Sequence, residues 1–297
     1  MNKRWMIFRV VVGLALGLAL CVALYAHLDV KSEDWGRLWR SLSWPWTAVV
    51  LGLTLLHWWS GARKWRLWAL ALHGEAGREP ASGFFLRHIA WQNWYGQFLP
   101  PTLAIVLGRS WAARHMPGVN WRAGAGNGIY DQAMEFLLLS ALLPAAWLIL
   151  HDHVGIVIWG PVAVACMAVM AGFIGLSRRW LPQRLGPFLP SLLAWSALRV
   201  VVVIARLVAG APALSLAIDW ASIAATAPVV ALLMIVPLTP GNLGIAEWGW
   251  VGVLAYGGTD PVQAGLMAVG FRVLMIAIQT VLLLAIIAHP LVKRRAT

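Results

Sequence analysis

Residues 237–247 read PLTPGNLGIAE, placing two prolines, two glycines, an asparagine and a carboxylate inside a region otherwise apolar enough for a bilayer. In hydrocarbon every backbone N–H and C=O needs a partner. A stretch this hostile to continuous helix is tolerated there only where protein buries it or where it lines a wet cavity. A broken, polar segment at membrane depth therefore marks a candidate functional site.

The rest of the chain sets the membrane context. Of 297 residues, 61% are hydrophobic and only 11% charged, with a mean hydropathy of +0.75. A soluble fold of this length has no way to hide so much apolar surface, so the expected class is an all-α polytopic membrane protein, residues 1–297 forming one transmembrane domain. The net charge of +12 does not point to nucleic acid, because the basic residues gather at the ends of apolar runs. Topology and anionic headgroups account for that placement. Cys21 and Cys166 each lie within an apolar run and read as packing residues.

Apolar windows of about 20 residues suit a membrane span. They fall at 6–27, 46–68, 124–150, 154–176, 188–209 and 262–288. The first is read as an uncleaved helix, since it is long enough to span and Cys21–Ala26 within it resembles a small-residue cleavage site only weakly. Two more apolar regions fit poorly: 81–108, interrupted by Gln92, Asn93, Gln97, Pro100 and Pro101, and 220–257, broken at PLTPGN. Both are expected to be re-entrant broken hairpins, with eight ordinary spans as the competing reading. The flanking charges fit six spans and two hairpins with both termini cytoplasmic. Lys3, Arg4 and Arg9; Arg63, Lys64, Arg66 and Arg78; Arg109, Arg114 and Arg122; Arg178, Arg179 and Arg184; and Lys293, Arg294 and Arg295 would lie inside. The exception is the first external loop, which mixes Lys31, Arg37 and Arg40 with Asp29, Glu33 and Asp34. In this topology 46–150 and 188–288 form an inverted repeat, with similar break points at Leu99-Pro100-Pro101-Thr102 and Val236-Pro237-Leu238-Thr239. Paired discontinuous helices of this kind point to a transport site at the bilayer midplane.

Charged residues inside apolar segments should face the protein interior and pair. They are Arg87, Asp131, Glu135, Arg199, Arg206, Glu247 and Arg272. Asp131 and Glu135 share a helix face with Asn127, and Arg199 shares one with Arg206. A cavity with carboxylates on one wall and guanidinium groups on the other follows, and the planar guanidinium suits a phosphate headgroup. The plainer reading is a set of structural ion pairs, with Arg87 and Arg206 snorkelling to the interface. Most of the twenty tryptophans are expected in interfacial belts, while Trp91 and Trp94, beside Gln92, Asn93 and Gln97, are candidates for lining a headgroup path. His151-Asp152-His153 lacks further ligands at metal spacing, so no metal is expected. No G-x-S-x-G, Walker loop or paired-Cys motif occurs, and neither an enzyme nor a cofactor is expected.

The run P-L-T-P-G-N-L-G-I-A-E at Pro237–Glu247, with an aromatic-rich apolar stretch, Gly257-Gly258 and Arg272 after it, resembles the closing region of the lysylphosphatidylglycerol synthase transmembrane region, or flippase-like domain, family. Phe98-Leu99-Pro100-Pro101-Thr102 followed by Arg109 is similar to that family's F-L-P-S/T-T-x-G-G-D-x-x-R segment, and the likeness covers residues 5 to 290. Ala104-Ile105-Val106 stands where Gly-Gly-Asp is common, Asn242 where a second Gly is common, and Ala246 where Arg is common. The resemblance implies an integral membrane protein, without a synthase domain, that moves lipids or lipid-linked molecules between leaflets of the cytoplasmic membrane. The alternative is a membrane subunit that presents lipid to a separate synthase or glycosyltransferase, and a weaker third is an intramembrane lipid-modifying enzyme. The residues expected to meet substrate are Arg109, Arg199 and Arg272 for phosphate, and Asp131, Glu135 and Glu247 for pairing or proton coupling. Pro100, Pro101, Pro237, Pro240, Gly241, Asn242 and Gly244 are expected to break the helices.

Overall fold

The Leu- and Ala-rich runs favour helix, and several helices begin or end at proline, glycine or a capping side chain. The structure is a computed structural model that describes residues 3–28, 30–77, 83–152, 156–176, 183–234 and 239–288. Pro237, Asp29, Arg78, His153, Arg178, Arg179, Lys293, Arg294 and Arg295 lie outside the described residues. Among the described residues every regular element is helical: α1 Lys3–Leu28, α2 Ser32–Arg40, α3 Trp44–His73, α4 Phe84–Tyr95, α5 Pro101–Ala113, α6 Trp121–Ala141, α7 Leu143–Asp152, α8 Ile156–Leu176, α9 Leu189–Ala213, α10 Trp220–Leu233, α11 Ile245–Tyr256 and α12 Pro261–Ala288. Pro101 opens α5 in its first turn, where its missing N–H costs nothing. Asn120 and Asp219 cap α6 and α10 through side chains that accept from the N–H groups of Ala123 and Ser222.

By length and composition, three described helices are sufficient to cross a membrane: Trp121–His151 (α6 running on into α7), Arg184–Ala213 and Pro261–Ala288. Ala15–Leu28 of α1 and Ser32–Arg40 of α2, which meet at 95°, make a fourth if taken as one bent span. The expected span 46–68 is the first part of the 30-residue α3, whose second half carries Arg63, Lys64 and Arg66. That concentration of charge separates α3 from the plainly apolar spans. In α8 the apolar stretch Gly160–Leu176, beginning beside Pro161, is short.

The irregular charge of the first loop has a structural reason. It is not a coil but the amphipathic α2, with Leu38 buried and Glu33, Arg37 and Arg40 exposed. Leu38 packs beside Gly270 of α12. A short helix that buries one apolar edge and turns its charges outward is suited to a bilayer surface.

α3 lies along α9 at the centre of the molecule. Each of the two then packs on the first arm of an interrupted pair, α3 on α4 and α9 on α10, while α5 packs on α6 and α11 on α12. Contacts of α4 with α12 and of α10 with α6 tie the halves together. Small residues permit the close approaches: a Cβ at Gly124 or Gly128 of α6 would press on the α5 backbone at Arg109 or Val106. Trp58, Trp65 and Trp68 of α3 are buried core residues, not belt residues.

Candidate functional site

The interior charges form two groups. The first joins α3, α5, α6 and α9. Lys64 Nζ lies 2.5 Å from Asp131 Oδ1 and 2.6 Å from Glu135 Oε1. Arg109 pairs with the other oxygen of Asp131 and donates to Asn127 Oδ1 at 2.6 Å. Trp68 Nε1 donates to Asp131 at 3.1 Å. Arg199 Nε meets Glu135 at 2.6 Å, and its Nη1 donates to the His57 carbonyl at 2.9 Å. Gly61 makes that approach possible, since a Cβ there would occupy the position of the Arg199 guanidinium. Arg109 also lies over the Trp65 ring, 5.0 Å from its centroid. The sequence suggested facing walls across a cavity for these residues. The structure brings Arg109, Asp131, Glu135 and Arg199 into direct contact and adds Lys64, whose placement among flanking basic residues concealed it.

The second group is built on the interrupted helices. The chain leaves α4 at Tyr95, turns through 96–99 and restarts at Pro101. In the other pair, α10 ends at Leu233, Pro240–Asn242 form a single tight turn, and α11 starts after Gly244. Gly241, Asn242 and Gly244 have φ of +61°, +52° and +82°, a region that glycine adopts freely and asparagine tolerates. The turn is tied by Asn242 Nδ2 donating to the Met234 carbonyl at 2.7 Å and by Thr239 Oγ1 donating to the Leu243 carbonyl at 2.8 Å. Gly241 sits directly on the first break: a Cβ there would overlap the Gln97 carbonyl oxygen. A Cβ at Gly244 would collide with Leu20 and press on the Gly17 carbonyl of α1, so α1 closes this side of the break.

At the restart of α11, Glu247 performs two tasks. Its Oε2 accepts the Gly244 N–H at 2.7 Å, capping the helix, and its Oε1 lies 2.5 Å from Arg272 Nε of α12. Arg272 Nη1 also donates to the Gly241 carbonyl at 3.1 Å. Glu247 and Arg272, read from the sequence in separate roles, are therefore one unit that pins the broken backbone to α12.

Beside this unit lies a cavity of about 280 Å³, walled by both interrupted pairs, α9 and α12. Apolar side chains including Val203, Leu207, Val230, Phe271 and Met275 make up most of its wall. The polar exceptions are Gln92, Asn93, Gln97, Arg206, Glu247, Arg272 and Gln279. Several have no protein partner: both amide atoms of Gln92, Oε1 of Gln279, and Nε and Nη1 of Arg206 are buried without a hydrogen bond in the protein. Buried polar atoms are nearly always satisfied, so their clustering on one cavity makes it the candidate binding site. Gln279 escaped sequence reasoning because a lone glutamine in an apolar helix carries no pattern. Trp91 and Trp94, expected on a headgroup path, are not on the cavity wall; Trp94 Nε1 instead donates to Thr280 of α12 at 2.9 Å.

Fold and site together define an all-helical, multi-pass membrane protein with a largely apolar cavity, carrying a few polar groups, between two interrupted helical segments. The family model described as the lysylphosphatidylglycerol synthase TM region matches residues 10–282. The chain belongs to that family, which relates it to lipid handling. No curated protein and no solved structure matches it.

Proposed function

We propose that the protein is a flippase-like transporter that moves a lipid or lipid-linked molecule between the leaflets of the cytoplasmic membrane, both of its termini being cytoplasmic and the protein itself catalysing no reaction. The observation that carries the reading is the cavity, where a paired Glu247 and Arg272, a partnerless Arg206 and two partnerless glutamines face an otherwise apolar enclosure. Its volume of about 280 Å³ lies just below the roughly 300–1,000 Å³ of small-ligand sites. That size suits a headgroup, while the acyl or isoprenoid chains stay in the bilayer.

The inverted-repeat topology belongs to the same proposal, with residues 46–150 and 188–288 as the two halves. α4, α5, α10 and α11 have 12, 13, 14 and 12 residues, at most about 21 Å at 1.5 Å per residue against a hydrocarbon core of about 30 Å. Arms this short support two re-entrant hairpins. Exchanging α3–α6 with α9–α12 also carries the α3–α9 pair onto itself and α3–α4, α5–α6 and α4–α12 onto α9–α10, α11–α12 and α10–α6, all observed, as an internal two-fold requires.

The test is transport by the purified protein alone. Liposomes containing it and acyl-labelled phosphatidylglycerol should expose inner-leaflet label to an external quencher faster than protein-free liposomes. Acceleration only after a co-purified lipid-modifying enzyme is added would replace the transporter with a lipid-presenting subunit.

A further inference from the structure

The charge count of the cavity and the chemistry of its unpaired atoms deepen the transport reading by naming the substrate class. Two guanidinium groups, Arg206 and Arg272, border the cavity against one carboxylate, Glu247. The carboxylate is consumed by Arg272 and the Gly244 N–H. Arg206 is thus left with a full positive charge, and no carboxylate among the described residues pairs with it. The next acidic group along its face serves Arg199, seven residues or about 10 Å away, and Lys64 shares it. An uncompensated cation in an apolar enclosure is expensive, and an anionic ligand removes that expense.

The neutral atoms narrow the ligand further. Gln92 is buried to 2% exposure and wedged against Gly108, where any side chain would collide with it. Its amide offers a donor nitrogen and an acceptor oxygen. Both atoms lack partners, so reversing the amide changes nothing. Gln279, also 2% exposed, presents a partnerless acceptor oxygen. Phosphate oxygens satisfy Arg206 and the Gln92 N–H, but the Gln92 carbonyl oxygen requires a ligand that donates, and the Gln279 amide meets a hydroxyl in either orientation. We propose that the cavity selects a net-anionic phosphodiester headgroup carrying free hydroxyls, a polyol phosphate, held by Arg206 on its phosphate and by Gln92 and Gln279 on its hydroxyls. A zwitterionic or cationic headgroup adds a positive charge beside Arg206 and is disfavoured.

This inference rests on the transport reading but is tested by binding. The full-length protein in detergent is titrated by native mass spectrometry with phosphatidylglycerol, phosphatidylethanolamine and lysylphosphatidylglycerol, and separately with soluble glycerol phosphate as competitor. A charge-assisted contact of this kind corresponds to roughly tenfold or more in affinity, so phosphatidylglycerol should bind about tenfold tighter than either other lipid. Arg206→Gln should reduce the preference to about twofold or less, Arg206→Lys should keep part of it, and both should elute as folded monodisperse protein. Equal binding of the three lipids, or an unchanged preference in Arg206→Gln, overturns the inference. Displacement of bound lipid by millimolar glycerol phosphate also overturns it, by reassigning the site to a free phosphate. Selective binding without transport refutes the transport reading alone, whereas transport without selectivity refutes only this assignment.

Discussion

Removing the Glu247 charge by Glu247→Gln should be among the most damaging conservative changes in the chain, and the structure sets its size. Glu247 is 2% exposed and faces Arg272 at 2.5 Å, so the variant leaves a mostly buried guanidinium opposite a neutral amide. Breaking a buried pair from one side costs about 3–5 kcal/mol. Arg272 retains 17% exposure on the cavity side, which favours the lower end, about 3 kcal/mol. The glutamine amide oxygen can still accept the Gly244 N–H, so the cap survives and the loss reports on charge. Arg272→Gln strands the partner carboxylate instead. The variant Glu247→Gln/Arg272→Gln strands neither, and its destabilisation should fall short of the sum of the single ones by about 2 kcal/mol or more. Reversible chemical unfolding in lipid–detergent micelles, run on the wild type, both single variants and the double variant, measures this coupling. Effects that add to within about 0.5 kcal/mol would refute the pairing as the element that holds the broken helix.

Other expectations concern the neighbouring features. Gly241→Ala adds a Cβ at φ +61° against the Gln97 carbonyl, so it should cost about 2 kcal/mol or more, combining left-handed strain with overlap; the melting temperature in micelles would report it. Asp131→Asn strands the fully buried Arg109 and leaves Lys64 with Glu135 alone; it should destabilise by about 3–5 kcal/mol, more than Glu247→Gln in the same unfolding assay. Arg206→Gln removes a cation that has no protein partner, so it should leave the melting temperature unchanged or raised while headgroup binding falls. A loss of stability equal to that of Asp131→Asn would make Arg206 structural.

The sequence made the breaks visible because their cause is local. Proline without an N–H and glycine at positive φ interrupt a helix wherever they stand, and Pro100, Pro101, Pro240, Gly241, Asn242 and Gly244 all lie at or beside an interruption. Asp131 with Glu135, and Arg199 with Arg206, were legible as faces because helix geometry fixes their spacing. Partner choice was not legible, since it depends on how separate helices cross. Lys64 lay between Arg63 and Arg66 in what reads as a flanking basic cluster, and only the packing of α3 against α6 turns it toward Asp131. Arg206 looked like a candidate for snorkelling. A hint was nonetheless present: the apolar segments hold three carboxylates, Asp131, Glu135 and Glu247, for more than three cations, so some guanidinium had to lack a protein counter-charge.

The central claim, that a headgroup crosses through the cavity held open beside Glu247 and Arg272, is tested most directly by transport with that unit altered. Glu247→Gln and Arg272→Gln, each purified, confirmed as folded and reconstituted at the wild-type protein-to-lipid ratio, are compared for quencher access to acyl-labelled phosphatidylglycerol. Access should fall to the rate of protein-free liposomes in both variants while the wild type remains fast. Wild-type rates in both would contradict the account.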